Sequence, residues 1–235
     1  MALAGYSASI FIGISLGLVG GGGSILTLPV LVYIFGIDPI LATVYSLFIV
    51  GSTSIVGSLS YFKQGLVNLK AAALFGIPSI MTILITRKIV LPSIPVDIFH
   101  MGHFTVTKNL VLMLLFALLM LGAAKSMIMD KELDEELPNI KLNKTKILLQ
   151  GLFTGLITGL IGAGGGFLII PALVKLVKLP IKIAIGTSLL IIAVNSLMGF
   201  TFSIIETEIQ WSFLLPIALI AILGIVLGSY LSSKL

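Results

Sequence analysis

The sequence predicts an all-α polytopic membrane protein built from two inverted-topology repeats, each carrying a glycine-tipped helical hairpin. Three observations predict it: an extreme apolar composition, the lengths of the apolar runs, and a duplicated glycine-proline motif. Of 235 residues, 58% are hydrophobic and 10% charged, whereas soluble domains run at about half apolar and a quarter charged. Mean hydropathy is +1.22, which excludes a soluble enzyme, a disordered chain and a nucleic-acid binder. The net charge of +5 therefore reports membrane orientation rather than a patch for acidic partners. There is no cysteine, so disulfide staples, thiolate metal sites and thiol-disulfide shuttles are removed as well.

Cutting the chain at its charges and turn residues gives apolar segments at 3–19, 24–36, 39–62, 69–90, 106–124, 146–161, 167–179, 181–205 and 211–233. A hydrocarbon core about 30 Å thick takes roughly 20 residues of helix, so these amount to roughly seven to nine membrane segments. The segments 39–62, 69–90, 106–124, 181–205 and 211–233 reach or approach that length. The pairs 3–19/24–36 and 146–161/167–179 do not, and each is split by glycines: Gly20, Gly21, Gly22 and Gly23 in the first, Gly162, Gly164, Gly165 and Gly166 in the second. Glycine runs make poor helix interiors and good tight turns, so each pair is expected to be two short helices meeting at a non-helical tip. The first segment lacks a basic flank and runs straight into its glycines, which is not the pattern of a cleaved signal peptide.

The two hairpins are copies. An offset of 142 positions lays GLVGGGGSILTLPVLV (17–32) on GLIGAGGGFLIIPALV (159–174), and the same offset returns after Pro39 and Pro180 to lay ATVYSLFIVGSTSIVG (42–57) on AIGTSLLIIAVNSLMG (184–199). The shared residues include glycines, prolines and serines in order, which chance matches of apolar helices do not give. The organisation expected is an N-terminal repeat at 1–95, a linker with one membrane helix and the acidic run Asp130 to Glu136 at 96–145, and a C-terminal repeat at 146–235.

Basic residues choose the orientation. If each hairpin returns to its starting side, Lys63, Lys70, Lys125, Lys131, Lys141, Lys144, Lys146, Lys175, Lys178, Lys182 and Lys234 share one side, and only Arg87, Lys88 and Lys108 oppose them. If each hairpin were one broken span, the fourteen would divide evenly. Positive-inside asymmetry favours the first, with the N-terminus outside, the C-terminus cytoplasmic and the repeats inverted.

Inverted repeats with broken helices are a transporter layout in which half-helix ends converge on substrate. Helices beginning at about Ser24 and Gly166 would aim free N–H groups at an anion. No Lys, Arg, Asp, Glu or His is expected deep in a segment, so backbone and neutral side chains would hold the ligand. The expected substrate-binding set is Gly20 to Gly23 with Ser24, Tyr45, Ser46 and Thr53 in the first copy, and Gly162, Gly164, Gly165, Gly166, Thr187, Ser188 and Asn195 in the second. Ser54 and Ser196 are further candidates, and Gln150, Thr154 and Thr158, spaced by four, form a second tier. Set against these roles, Ser and Thr in membrane helices commonly bond their own backbone, and glycines at every fourth position commonly serve close packing. His100 and His103 lack a third ligand for a metal. No P-loop follows the glycines, so no nucleotide cofactor is implied. The histidines occupy one loop, which leaves no nucleophile and base for an enzyme.

The doubled G-L-x-G-x-G-G with L-x-x-P at 17–29 and 159–171, and A-x-G-T-S-L at 184–189, resemble the sulfite exporter TauE/SafE family over essentially the whole chain. The resemblance implies a multi-pass carrier in a bacterial or archaeal inner membrane. Its substrates would be sulfite, sulfonates or related organic oxyanions, carried by alternating access. Val44-Tyr45-Ser46 departs from Gly186-Thr187-Ser188, so Tyr45 is expected to narrow the site or mark another anion. An anion channel, or an assembly factor without carrier activity, is the alternative. The partners expected are a small anion, the bilayer and a second copy of the chain, with no nucleic acid.

Overall fold

A computed structural model describes residues 2–101, 104–129, 144–162, 164–205 and 207–232. The acidic run Asp130 to Glu136, His103 and Lys234 lie outside them. The first hairpin is α1 (Ala2–Val19) and α2, which winds as a tight 3-10 stretch Gly20–Leu26, one turn Thr27–Pro29 and a wide π turn Val30–Ile34. Helices α3 (Pro39–Lys63) and α4 (Leu69–Ile85, continued through a π turn Thr86–Val90 to Ser93) follow. Strands β1 (Asp97–Met101) and β2 (Phe104–Thr107) precede α5 (Lys108–Met129). The second half runs α6 (Lys144–Ile161), α7 (Gly166–Leu176), α8 (Ile181–Ser203) and α9 (Trp211–Ser232).

Four helices, Pro39–Lys63, Leu69–Ser93, Ile181–Ser203 and Trp211–Ser232, are long and apolar enough to cross a membrane. In α5 the apolar stretch among the described residues runs over Lys108–Gly122. The all-α expectation also fails in one place. β1 and β2 pair antiparallel, Phe99 opposite Val106 and His100 opposite Thr105, with an irregularity between Asp97 and Phe99. The aromatic and β-branched run Phe104-Thr-Val-Thr107 suits a pleated pair rather than the start of a helix. The hairpin is anchored at its base, where the Lys108 N–H donates to the Val96 carbonyl (2.8 Å) and the Lys108 ammonium to the Leu91 carbonyl.

Surface and core are reversed relative to a soluble protein. Leu215, Leu219, Leu223 and Leu227 on α9, and Ile77, Met81 and Ile85 on α4, are exposed, while Thr27, Ser46, Ser79, Thr154, Asn195 and Ser196 are fully buried. Such an exterior demands lipid. Helices then attract one another by close packing rather than by the hydrophobic effect, which favours small residues at their crossings. α1 packs on α9, α4 on α6, and α3 on α8 at the centre. At the first seam, a Cβ on Gly13 would overlap the Ala221 carbonyl; at the second, a Cβ on Gly155 would overlap the Ser79 carbonyl. Under the 142-residue offset, Gly13 corresponds to Gly155 and Ser79 to Ala221. Each half therefore closes its seam with a helix from the other.

The interior is not free of charge, as the sequence had suggested. Arg87 is 6% exposed. The segment expected to stop at 90 continues to Ser93, and its π turn carries the guanidinium inside the bundle.

Substituting Gly155→Ala is expected to lower stability by about 1–3 kcal/mol through overpacking. Gly76→Ala, in a helix with nothing within 4 Å of the added carbon, is expected to raise it by about 0.5–1 kcal/mol. Thermal unfolding in detergent separates the two signs.

Candidate functional site

The two glycine tips meet, but they are not built alike. In the first, Gly20 alone is shown with positive φ, +67°, and the chain then winds directly into the 3-10 stretch. The helix therefore begins several residues before the expected Ser24, because one left-handed residue is enough to turn it. In the second, Gly162, Gly164 and Gly165 have φ of +75°, +68° and +67°. Left-handed backbone at three positions requires glycine, since a Cβ there is strained whatever the space. The tips touch backbone to backbone, and a Cβ on Gly21 or on Gly166 would overlap the other residue. Gly23 lies equally tight against the backbone of Leu16.

α7 begins cleanly at Gly166, with Gly165 at its N-cap and no side chain capping it. The Leu168 and Ile169 N–H groups already donate to the Gly165 carbonyl (3.0 and 3.2 Å), so only the N–H groups ahead of them are left to face the tip. A Cβ on Gly164 would stand 3.1 Å from Ser196 Oγ and 2.8 Å from Val50, which places this residue between α3 and α8. A Cβ on Gly165 would overlap Thr158 Oγ1 and come within 2.9 Å of Thr154 Cγ2. Thr154, Thr158 and Ser196 are fully buried, and their hydroxyls have no protein partner. Asn195 spends one end of its amide on Ser79 Oγ (2.8 Å) and leaves Oδ1 unpartnered. A buried hydroxyl without a partner costs about 1–3 kcal/mol, and Thr158 and Ser196 lie against this one uncapped helix start.

The other expected residues divide. Ser46 is buried and unpartnered. Ser24 donates to the Gly21 carbonyl (2.7 Å), Thr53 to the Ile49 carbonyl (2.7 Å) and Ser188 to the Ile185 carbonyl (2.8 Å), each within its own helical turn. Ser188 and Asn195 share a face of α8, but the residues of that helix against the tip are Ile192 and Ser196, beside Gly164.

Tyr45 and Thr187 do something else. The Gln210 N–H donates to Tyr45 Oη (3.0 Å) and the Asn68 N–H to Thr187 Oγ1 (2.9 Å). Both donors immediately precede a helix start, α9 and α4, where backbone N–H groups lack partners. Tyr45 matches Thr187, and Asn68 matches Gln210, at the same 142-residue offset. The two bonds are thus one bond made twice, each half serving a helix start in the other. The Tyr45 ring also packs with Phe213, ring centroids 6.0 Å apart.

Thr154 and Thr158 ranked low in the sequence because threonines at steps of four read equally well as backbone-bonding. Their copies are Ile12 and Leu16, and the copy of Ser79 is Ala221. Polar residues whose copies are apolar were the available signal.

A lipid-facing helical bundle whose core holds neutral hydroxyls around a broken helix has the makings of a membrane transporter. The chain belongs to the sulfite exporter TauE/SafE family, whose model matches residues 6–235. It is 27% identical over 230 residues to a probable membrane transporter protein of Xylella fastidiosa, covering 95% of this chain and 82% of that one. It is 26% identical to the probable membrane transporter protein YunE of Bacillus subtilis, covering 93% and 84%. A probable membrane transporter protein of Methanocaldococcus jannaschii is 29% identical, with 96% and 84% covered. No solved structure matches the chain.

Tyr45→Phe removes the acceptor of the Gln210 N–H and is expected to lower stability by about 1 kcal/mol, with anion affinity unchanged. Parallel thermal melts and sulfite titrations check this, and a loss of affinity would return Tyr45 to the binding site.

Proposed function

We propose that this protein is a secondary transporter that carries a small oxyanion of the sulfite or sulfonate class, held at the second glycine tip. The observation that supports this most is the convergence of Thr154, Thr158 and Ser196, buried and unpartnered, on the uncapped start of α7 at Gly164 and Gly165. Hydroxyls and backbone N–H groups donate to a sulfonyl or carboxylate oxygen, and the helix dipole favours its negative charge. The free end of the Asn195 amide, which accepts or donates according to its flip, suits an anion that arrives protonated on one oxygen. Held this way, the anion's own proton can serve as the coupling ion, with no carboxylate relay.

Alternating access follows from burial. With the binding hydroxyls fully enclosed, an anion enters only when the halves move against each other. The halves, 1–95 and 146–235, are read as inverted repeats in an inner membrane, N-terminus outside and C-terminus cytoplasmic.

In vesicles, Gly165→Val is expected to abolish sulfite uptake, and Thr158→Val to reduce it about tenfold, the loss of one charge-assisted hydrogen bond. Saturable uptake that competing sulfonates inhibit is the carrier result, linear uptake is that of a channel, and undiminished flux in a folded Gly165→Val protein overturns the site. A reporter fused after residue 38 is expected to read periplasmic.

A further inference from the structure

We propose that Arg87 is the cation of a second anion-binding site, an access station for the same class of oxyanion, at the end of the bundle where α3 begins and α4 and α8 end. The proposal rests on the reading of the second tip as a substrate site. Arg87 Nη1 donates to Ser203 Oγ (3.1 Å) and Nη2 to Thr43 Oγ1 (3.3 Å), while Nε is buried with no partner. Taking a guanidinium out of water costs several kcal/mol unless it is paired. Here it meets two neutral hydroxyls and, among the described residues, no carboxylate. Nε and a neighbouring Nη form a planar fork whose spacing matches two oxygens of a sulfonate, sulfite or carboxylate.

Position links this fork to the tip. The Thr43 carbonyl packs directly on Gly162, where the second tip begins to turn. Thr86, next to Arg87, lies against Gly159 and is itself buried with an unpartnered hydroxyl. Gly159 adjoins Thr158, whose hydroxyl meets Gly165. Polar groups without partners thus lead from Arg87 to the start of α7 through an otherwise apolar interior.

The internal repeat separates function from packing at this position. At the 142-residue offset Arg87 corresponds to Ser229, and Thr43 to Ile185. The fold accepts a small neutral residue at the equivalent place in the other half, so nothing in the architecture calls for a cation. The π turn Thr86–Val90 that delivers the guanidinium inward is a departure from regular helix of the kind found at functional sites.

The test uses the full-length protein in lipid nanodiscs, titrated with sulfite and with methanesulfonate. Arg87→Gln is expected to weaken sulfite binding about 10–100-fold, the loss of a charge-assisted pair. Arg87→Lys, which keeps the charge without the fork, is expected to fold and to bind about 3–10-fold more weakly than wild type. Wild-type affinity in either variant overturns the proposal. If Arg87→Gln does not fold, Arg87→Lys decides alone. Thr158→Val distinguishes this proposal from the reading beneath it. Binding lost in Thr158→Val but not in the Arg87 variants removes the access station alone, whereas a wild-type protein that binds neither anion removes both.

Discussion

The structure depends on the contact of Gly21 with Gly166. Two chain reversals from opposite halves meet there through backbone alone, and a single methyl on either would hold them apart. In lipid there is no water to expel between helices, so what draws them together is dispersion across surfaces that fit closely. Glycine supplies that fit three times over: where the tips cross, along the α1–α9 seam, and along the α4–α6 seam. The buried hydroxyls of Thr158 and Ser196 lie against the second tip because its glycines let it come so close to α6 and α8.

The duplication explains the architecture and also shows where the copies part. Contacts that define the fold occur in both halves: Gly13 with Ala221 and Gly155 with Ser79, Gly20 with Ile185 and Gly162 with Thr43, Gln210 with Tyr45 and Asn68 with Thr187. Some of the buried polar residues differ between the copies: Thr154 and Thr158 lie against the second tip, where Ile12 and Leu16 occupy the matching places, whereas Ser196 matches Ser54. The first tip winds directly into a 3-10 stretch, while the second turns through three left-handed glycines with Thr158 and Ser196 against it, so the two copies differ most at their tips.

Segment lengths, the glycine tips and the repeat were all legible in the sequence because each depends on local rules: apolar run length, the conformational freedom of glycine, self-similarity. The strand pair at 97–107 was missed because most of it falls between the segments 69–90 and 106–124, in what read as a loop. Arg87 was read at the outer end of segment 69–90 because charge ordinarily sits at a membrane boundary, and only the structure shows the helix running on to Ser93 with the guanidinium turned inward. The serines and threonines divided for a further reason. Whether a hydroxyl bonds its own carbonyl, as Ser188 does, or stays free, as Thr158 does, is decided by what the neighbouring helix presents, and spacing along one helix carries no information about that.

The exchange of partners between halves bears on how the chain is made. α1 enters the bilayer long before α9, on which it packs, and the start of α4 waits for Thr187, more than a hundred residues downstream. The N-terminal half must therefore persist in the membrane with its packing seam unmatched until the second half has been made. Such a chain is open during synthesis to wrong pairing with other nascent helices. The same exchange lets two separately made halves reassemble, since every missing partner lies on the other fragment.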